Sequence, residues 1–415
     1  MKVTGFGRIL AKRNMGGICF LKVRFQEEDT QFILTKKDLG NYKEITALPS
    51  GSIISIEGTL VLSKTGTPSI AVFSAKSVSP CRIELPDKYN GVTSRTEYDD
   101  RVIGLIGNPD SFCLFKAIAE LNCRVREVLV RNGYLEFDTG VLQSNFDAGL
   151  ANSFSTHCNA NGREYHLSLT SEMKLKKLIA GGFERVYEMT HSFRNEGVNS
   201  THYPEFGILE CYKASESLAD SLALITEILN ELAQVSRRGI GIEVLGEEFS
   251  SPPKQISFHE ALALACSREV SVSDLVLVRP DLFSKGMPEF TRIYKALTKI
   301  VAPQFDNPVF IVDMPEGFNP FCKITNDKAL QAVLVAKGMH IGTISVDENN
   351  PEVVSQRLQK QSEESGVPIN TGYLELLDLG VPPISGIGLG MTRLAMLFLP
   401  REKQNVRDVI PFPFI

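Results

Sequence analysis

The sequence predicts an α+β protein in which a small β-barrel precedes a larger antiparallel sheet with flanking helices. Three observations carry that expectation. The first 82 residues hold five short runs rich in Val, Ile, Phe and Thr, divided by turn-forming residues. Beyond about residue 113, strand and helix patterns follow in mixed order, without the regular alternation of a parallel α/β sheet. The charge is also uneven. Residues 1–82 carry 12 basic and 6 acidic side chains, yet the 415-residue chain has 44 Lys+Arg against 49 Asp+Glu, a net charge of −5. A basic head on an acidic body points to two domains with different partners: 1–82, then a linker at 83–112, then 113–415.

Composition removes several classes. With 43% hydrophobic and 22% charged residues, the chain is not expected to be disordered. No apolar run approaches the roughly 20 residues of a membrane span. Arg8, Lys12 and Arg13 interrupt the N-terminal apolar stretches, so no secretory signal is read there. Eight cysteines are scattered without a Cys-x-x-Cys pair, as in a cytoplasmic protein with reduced thiols.

The barrel strands are expected at Val3–Leu10, Ile18–Phe25, Gln31–Thr35, Ile53–Leu62 and Ser69–Ser77. Turns fall at Met15-Gly16-Gly17, Glu27-Glu28-Asp29, Pro49-Ser50-Gly51 and Lys64-Thr65-Gly66-Thr67-Pro68. Five strands and a basic balance suit an OB-type barrel, a common binder of single-stranded nucleic acid. Period 2 puts Phe20, Lys22 and Arg24 on one face and Phe25 on the other. The first face could stack bases and meet phosphates; the alternative is that the aromatic rings are core.

Residues 83–112 are rich in Pro, Gly, Asp and Asn. Leu114, Ile118, Leu121, Val125 and Leu129 then recur at helical spacing, with Gly133 as a stop. In Phe183–Tyr212, Arg185–Glu196 reads as a strand, Gly197–Pro204 as a polar loop with His202, and Glu205–Tyr212 as a second strand. Alternation puts Glu188, Thr190, Ser192, Arg194 and Glu196 on one face. It puts Phe206, Ile208, Glu210 and Tyr212 on one face of the second strand. A guanidinium, carboxylates, a ring and a phenol together suit a nucleotide; a solvated hairpin is the alternative. Further on, Ser385-Gly386-Ile387-Gly388-Leu389-Gly390 reads as a glycine-rich turn into an apolar helix carrying Arg393. A buried arginine needs an anionic partner, either a ligand or a carboxylate of the fold.

These two segments resemble motifs 2 and 3 of class II aminoacyl-tRNA synthetases, and the chain is most similar to the class II lysyl-tRNA synthetases. The resemblance extends through Gly7-Arg8-Ile9-Leu10-Ala11-Lys12-Arg13, Glu57-Gly58-Thr59-Leu60 and Ser171-Glu172-Met173-Lys174-Leu175-Lys176-Lys177-Leu178. It includes Gly181-Gly182-Phe183-Glu184-Arg185-Val186 and the ending Val406-Arg407-Asp408-Val409-Ile410-Pro411-Phe412-Pro413. It implies an OB-fold anticodon-binding domain and a class II antiparallel catalytic domain.

The resemblance also implies roles. Arg194 would bridge the α-phosphate of ATP and the amino-acid carboxylate. Glu196 would face the adenine amine, Phe206 would stack on adenine, and His202 with Arg393 would hold the terminal phosphates. Gly388 and Gly390 would let ATP approach the backbone. Glu172 would take the substrate α-amine, and Glu210, Tyr212 and Asp347 the side-chain ammonium. Phe20, Lys22 and Arg24 would meet tRNA. The substrates implied are ATP, lysine or a lysine-like amino acid, and tRNA; the family's dimer would make a homodimer.

Some positions depart from the pattern. His340 and Val333 stand where the family has its two metal-binding glutamates, which leaves the magnesium dependence open. Thr343 replaces a nearby asparagine. Asp147-Ala148 and Asn152-Ser153 replace paired glycines and an Arg-Pro beside the α-amine site. Gly140 follows Thr139 where motif 1 has proline, and Thr392 replaces an acidic residue. The expectation is a lysyl-tRNA synthetase-like ligase with an altered metal site and amino-acid pocket. Two alternatives stay open: aminoacyl transfer to a protein or small molecule, and a non-catalytic module that senses tRNA.

Overall fold

A computed structural model describes residues 1–83, 85, 100–144, 151–238, 242–326, 328–366, 369 and 371–414. The Asp147-Ala148 substitution lies outside the described residues. The chain divides into two compact units, Met1–Phe112 with Phe412–Ile415, and Cys113–Pro411.

The first unit is built on a closed barrel of β1 (Lys2–Asn14), β2 (Ile18–Phe25), β3 (Glu28–Thr35), β4 (Ile53–Leu62) and β5 (Pro68–Ser79), in the order β1-β2-β3-β5-β4. β3 and β5 run parallel and close it; the other pairs are antiparallel. Alternation fills the interior with Leu21, Val23, Phe25, Phe32 and Ile54, all buried. Each such side chain contributes about 1.5–3 kcal/mol of burial. Phe25 and Phe32 meet edge to face at 5.5 Å. The β2–β3 turn is tighter than expected, because Gln26 and Glu27 both adopt positive φ, 51° and 65°. That is the twist a two-residue hairpin requires. A helix at Tyr42–Ala47, not foreseen, seals one end with Tyr42 and Ile45. Within the stretch read as a linker, Arg101–Gly107 is helical, and a second helix, Pro109–Arg131, starts earlier than its apolar repeat.

The second unit is built on an eight-stranded sheet. Its strands are β6 (Leu135–Glu136), β10 (Arg185–Phe193), β11 (Glu205–Ala214), β12 (Lys254–Ser257), β13 (Val309–Val312), β16 (Gln331–Ala336), β17 (Met339–Val346) and β18 (Ile384–Gly390). The order is β12-β13-β16-β17-β18-β11-β10-β6, antiparallel except at its two edges. Small sheets of β7 (Leu142–Gln143), β8 (Ser155–Cys158) and β9 (Arg163–Leu167), and of β14 (Ile324–Thr325) and β15 (Lys328–Ala329), lie beside it in sequence.

One face of the large sheet is apolar. Leu209, Cys211, Ile344, Ile387 and Leu389 pack there with the apolar sides of helices Pro109–Arg131 and Leu218–Arg238. Period 2 then sends their neighbours to the other face, where the polar side chains lie. No single described helix is long and apolar enough to cross a membrane. The eight cysteines form no disulfide among the described residues.

Candidate active site

The register of the central strands aligns the polar face in rows. Ser192 pairs with Phe206, Glu188 with Glu210, and Val186 with Tyr212. Across β11, Ile208 pairs with Gly390, Glu210 with Gly388, and Tyr212 with Gly386. The glycine-rich segment is therefore a strand rather than a turn, and Gly386, Gly388 and Gly390 share the site face. Their missing side chains make the floor. A Cβ at Gly388 would stand 3.3 Å from a Glu210 carboxylate oxygen, and one at Gly386 would strike the Tyr212 ring.

One end of this face gathers cations. The first strand stops at Phe193, so Arg194 leaves it at the loop, held by its N–H to the Pro204 carbonyl at 2.7 Å. Its guanidinium lies 5.2 Å from the Phe206 ring centre. Burial depresses its pKa, and its Nε has no hydrogen-bond partner among the described residues. Arg393 donates to the His340 carbonyl at 3.0 Å and to His202 Nε2 at 3.1 Å. Because a guanidinium only donates, Nε2 accepts. The ring proton then sits on Nδ1, which faces Asn199 Oδ1 at 3.0 Å. Burial, and then Arg393, push His202 down to about 4, so it is neutral at pH 7. Among the described residues no carboxylate forms an ion pair with Arg194 or Arg393. Arg393 thus meets no carboxylate among the described residues; its Nε also donates to the Thr201 carbonyl at 3.4 Å. Glu196 is exposed just beyond Arg194.

The other end gathers carboxylates. Glu210 is buried and accepts from the Thr170 hydroxyl at 2.8 Å and the Tyr212 phenol at 2.9 Å. Burial, reinforced by Glu172, raises it to about 7. Glu172 opens the helix Glu172–Ala180, and Lys176, one turn on, reaches back to it at 2.6 Å. The same ammonium lies 2.6 Å from Asp347, which follows the last residue of β17. Burial raises Asp347 to about 6, although Lys176 opposes the shift. In the row of Tyr212, Gly386 and Ser345, Gln331 is fully buried, and neither of its amide atoms has a partner among the described residues.

Other expected residues are placed differently. Glu188 is buried and holds Thr139, accepting from its N–H at 2.9 Å and its hydroxyl at 2.7 Å, so it does not offer a free carboxylate. Gly140 follows with φ +75°, where proline, fixed near −65°, cannot stand. Thr392 donates no charge; its hydroxyl accepts from the Gly207 N–H at 2.8 Å. Val333 is fully buried in an apolar cluster with Ile311 and Val335. The His340 ring is spent on Thr343 at 3.0 Å through Nε2, while Nδ1 has no hydrogen-bond partner among the described residues. Burial, and then Arg393, push His340 down to about 3.

On the barrel, Phe20 is half-buried and Lys22 exposed, with Lys22 2.8 Å from Asp29. Arg24 is engaged within its own unit. It pairs with Asp29 at 3.0 Å, donates to the Leu105 carbonyl at 2.6 Å, and lies 4.1 Å over the Phe112 ring.

Reading from sequence missed Lys176, Thr170 and Gln331. The Glu172–Lys176 spacing was a visible i,i+4 pair, but such pairs are ordinarily solvated. Thr170 and Gln331 carried no signal.

The family model described as tRNA synthetases class II (D, K and N) matches residues 93–415. Among similar curated proteins, a lysine–tRNA ligase of Chloroflexus aurantiacus is 30% identical over all of this chain and 88% of its own length. A lysine–tRNA ligase of Prochlorococcus marinus is 30% identical over the whole chain and 87% of its own. The lysylphosphatidylglycerol biosynthesis bifunctional protein LysX of Mycolicibacterium gilvum is 29% identical over 99% of this chain and 40% of its own.

Proposed function

The chain belongs to the class II tRNA synthetases of the D, K and N group, and from that premise we propose that it activates lysine or a lysine-like amino acid with ATP and transfers the aminoacyl group to tRNA. The observation that carries this reading is the polarity of one sheet face. Two guanidiniums with no carboxylate partner among the described residues stand at one end, and amine-matching carboxylates stand at the other, across a glycine floor.

The chemistry follows that polarity. The amino-acid carboxylate attacks the α-phosphorus of ATP; the bond to the β-phosphate oxygen breaks, and pyrophosphate leaves. Arg194 neutralises charge on the α-phosphate and orients the attacking carboxylate. Arg393, with neutral His202 accepting from it, receives the departing phosphates. Phe206 stacks on adenine, and Glu196 accepts from its amine. Glu172 and Glu210 anchor the substrate ammonium groups. Positioning and preorganised cations then supply the rate. A tRNA hydroxyl next attacks the activated carbonyl and releases AMP. Phe20 and Lys22 are the barrel contacts that best fit tRNA, since Arg24 is engaged elsewhere. The free thiols fit a cytoplasmic enzyme.

Magnesium prefers hard oxygen ligands. Val333 offers no donor atom, and His340 offers a neutral imidazole already bonded to Thr343, so these two positions do not fit the ion. The reading is a site whose magnesium dependence is reduced relative to the family pattern. ATP–pyrophosphate exchange over a panel of lysine and its analogues, titrated with magnesium, tests both parts. Exchange with lysine at reduced magnesium demand is expected; full lysine activity with ordinary magnesium demand would sink the altered-site reading. Aminoacylation of tRNA then identifies the acceptor. Exchange without charging would favour transfer to a protein or small molecule, and no exchange with any amino acid would favour a tRNA-sensing module.

A further inference from the structure

The reaction above makes no use of Lys176, yet this residue lies at the centre of the acidic end. Its side chain is wholly buried, with Nζ 2.6 Å from Glu172 and 2.6 Å from Asp347. Three rings surround the same atom: Tyr373 at 4.7 Å, Phe321 at 5.3 Å and Tyr212 at 5.6 Å. Two carboxylates and three aromatic faces make a built site for a primary ammonium. The chain fills that site itself.

We propose that Lys176 is the resident cation of the amino-acid pocket and a positioning residue for its specificity: it occupies Asp347 and one oxygen of Glu172, and leaves Glu210 with Tyr212 to read the substrate side chain. This rests on the acidic end being the amino-acid subsite. Charge counting gives the consequence. Glu172, Glu210 and Asp347 supply three carboxylates, and Lys176 supplies one cation. An amino acid with an α-ammonium and one side-chain ammonium brings the count to balance. A neutral side chain of similar shape leaves a buried carboxylate uncompensated. Lys176 also prevents Asp347 from competing with Glu210 for the incoming ammonium, so the reach of the side chain is measured at one place.

The test uses ATP–pyrophosphate exchange on the full chain. Lys176→Ala removes three carbons and the ammonium, the size of n-propylamine. The amino-acid KM is expected to rise about a hundredfold, the scale of breaking a buried charge pair, while the ATP KM is unchanged. Millimolar n-propylamine is expected to restore it, and to leave the wild type unaffected. Should Lys176→Ala fail to fold, the charge count is tested separately. Asp347→Asn is expected to lower the preference for lysine over norleucine about tenfold, and Lys176→Met added to it is expected to restore the preference. Unchanged amino-acid KM, loss of both KM values without amine rescue, or no shift in the lysine–norleucine ratio would overturn the proposal. A wild-type chain that activates no amino acid would instead overturn the subsite reading on which it rests.

Discussion

The two ends of the site face solve opposite problems. The cationic end lacks counter-ions. Arg194 and Arg393 have no carboxylate partner among the described residues, and His202 is held neutral beside Arg393. The acidic end meets its charges in part from within. Asp347 is paired with Lys176, and Glu210 accepts two hydroxyl hydrogen bonds. Physics explains the contrast. A guanidinium stays charged at any relevant pH and is weakly hydrated, so burial without a counter-ion costs it less than an ammonium. A buried carboxylate without a partner would take up a proton instead. An ammonium subsite must therefore carry its own counter-ions or hydroxyl donors before the substrate arrives.

The largest expected effect breaks the cationic end. Arg194→Ala should lower exchange by about a thousandfold through loss of phosphate stabilisation, measured as kcat/KM for ATP. Lysine at that position should recover little, because it lacks the planar fork.

Next comes the acidic end. Glu210→Gln should raise the amino-acid KM by about a hundredfold, since a charge-assisted contact becomes a neutral one. Burial holds the Glu210 carboxyl up at about 7, so in the proposed role a proton would compete with the substrate ammonium. The amino-acid KM should rise as pH falls below about 7, and Glu210→Gln should abolish that step. The raised carboxyl also means the free fold binds a proton more tightly than the unfolded chain. Its stabilising contribution is present below the ordinary value of 4.5 and is lost as pH climbs through about 7. Thermal melts across that window would show a progressive loss.

Two smaller effects sharpen the comparison. Gln331 keeps two buried amide atoms at the acidic end that have no partner among the described residues. Gln331→Met should stabilise the free chain by about 1 kcal/mol while weakening amino-acid binding. Loss of stability without a change in binding would mark it as structural. Lys22→Ala on the barrel should change least. It should weaken tRNA binding modestly and reduce the slope of log affinity against log salt by about one.

How legible was this from sequence? The barrel strands followed from period 2, and Ile18–Phe25 and Ile53–Leu62 fall at the expected residues. The Glu205–Tyr212 alternation is present, because a half-buried strand has little freedom to depart from it. The glycine segment misled: glycines normally mark turns, but here a close-packed strand must leave room for Glu210 and Tyr212 above it. Glu188 misled too, because alternation fixes the face of a side chain and not its partner. The Thr139 loop claims it.

By itself, then, the sequence determined the two-part architecture, the sheet face that carries the polar groups, and the residue types at its cationic end. These are local properties, set by strand period, turn chemistry and the spacing of neighbours. Only the tertiary structure decided which charges meet. Asp347 reaches Lys176 because β17 ends beside the helix that begins at Glu172, and Thr170 reaches Glu210 from the turn before that helix. Charge pairing in a buried pocket depends on convergence in space across distant segments, and hydrophobic periodicity carries no record of it.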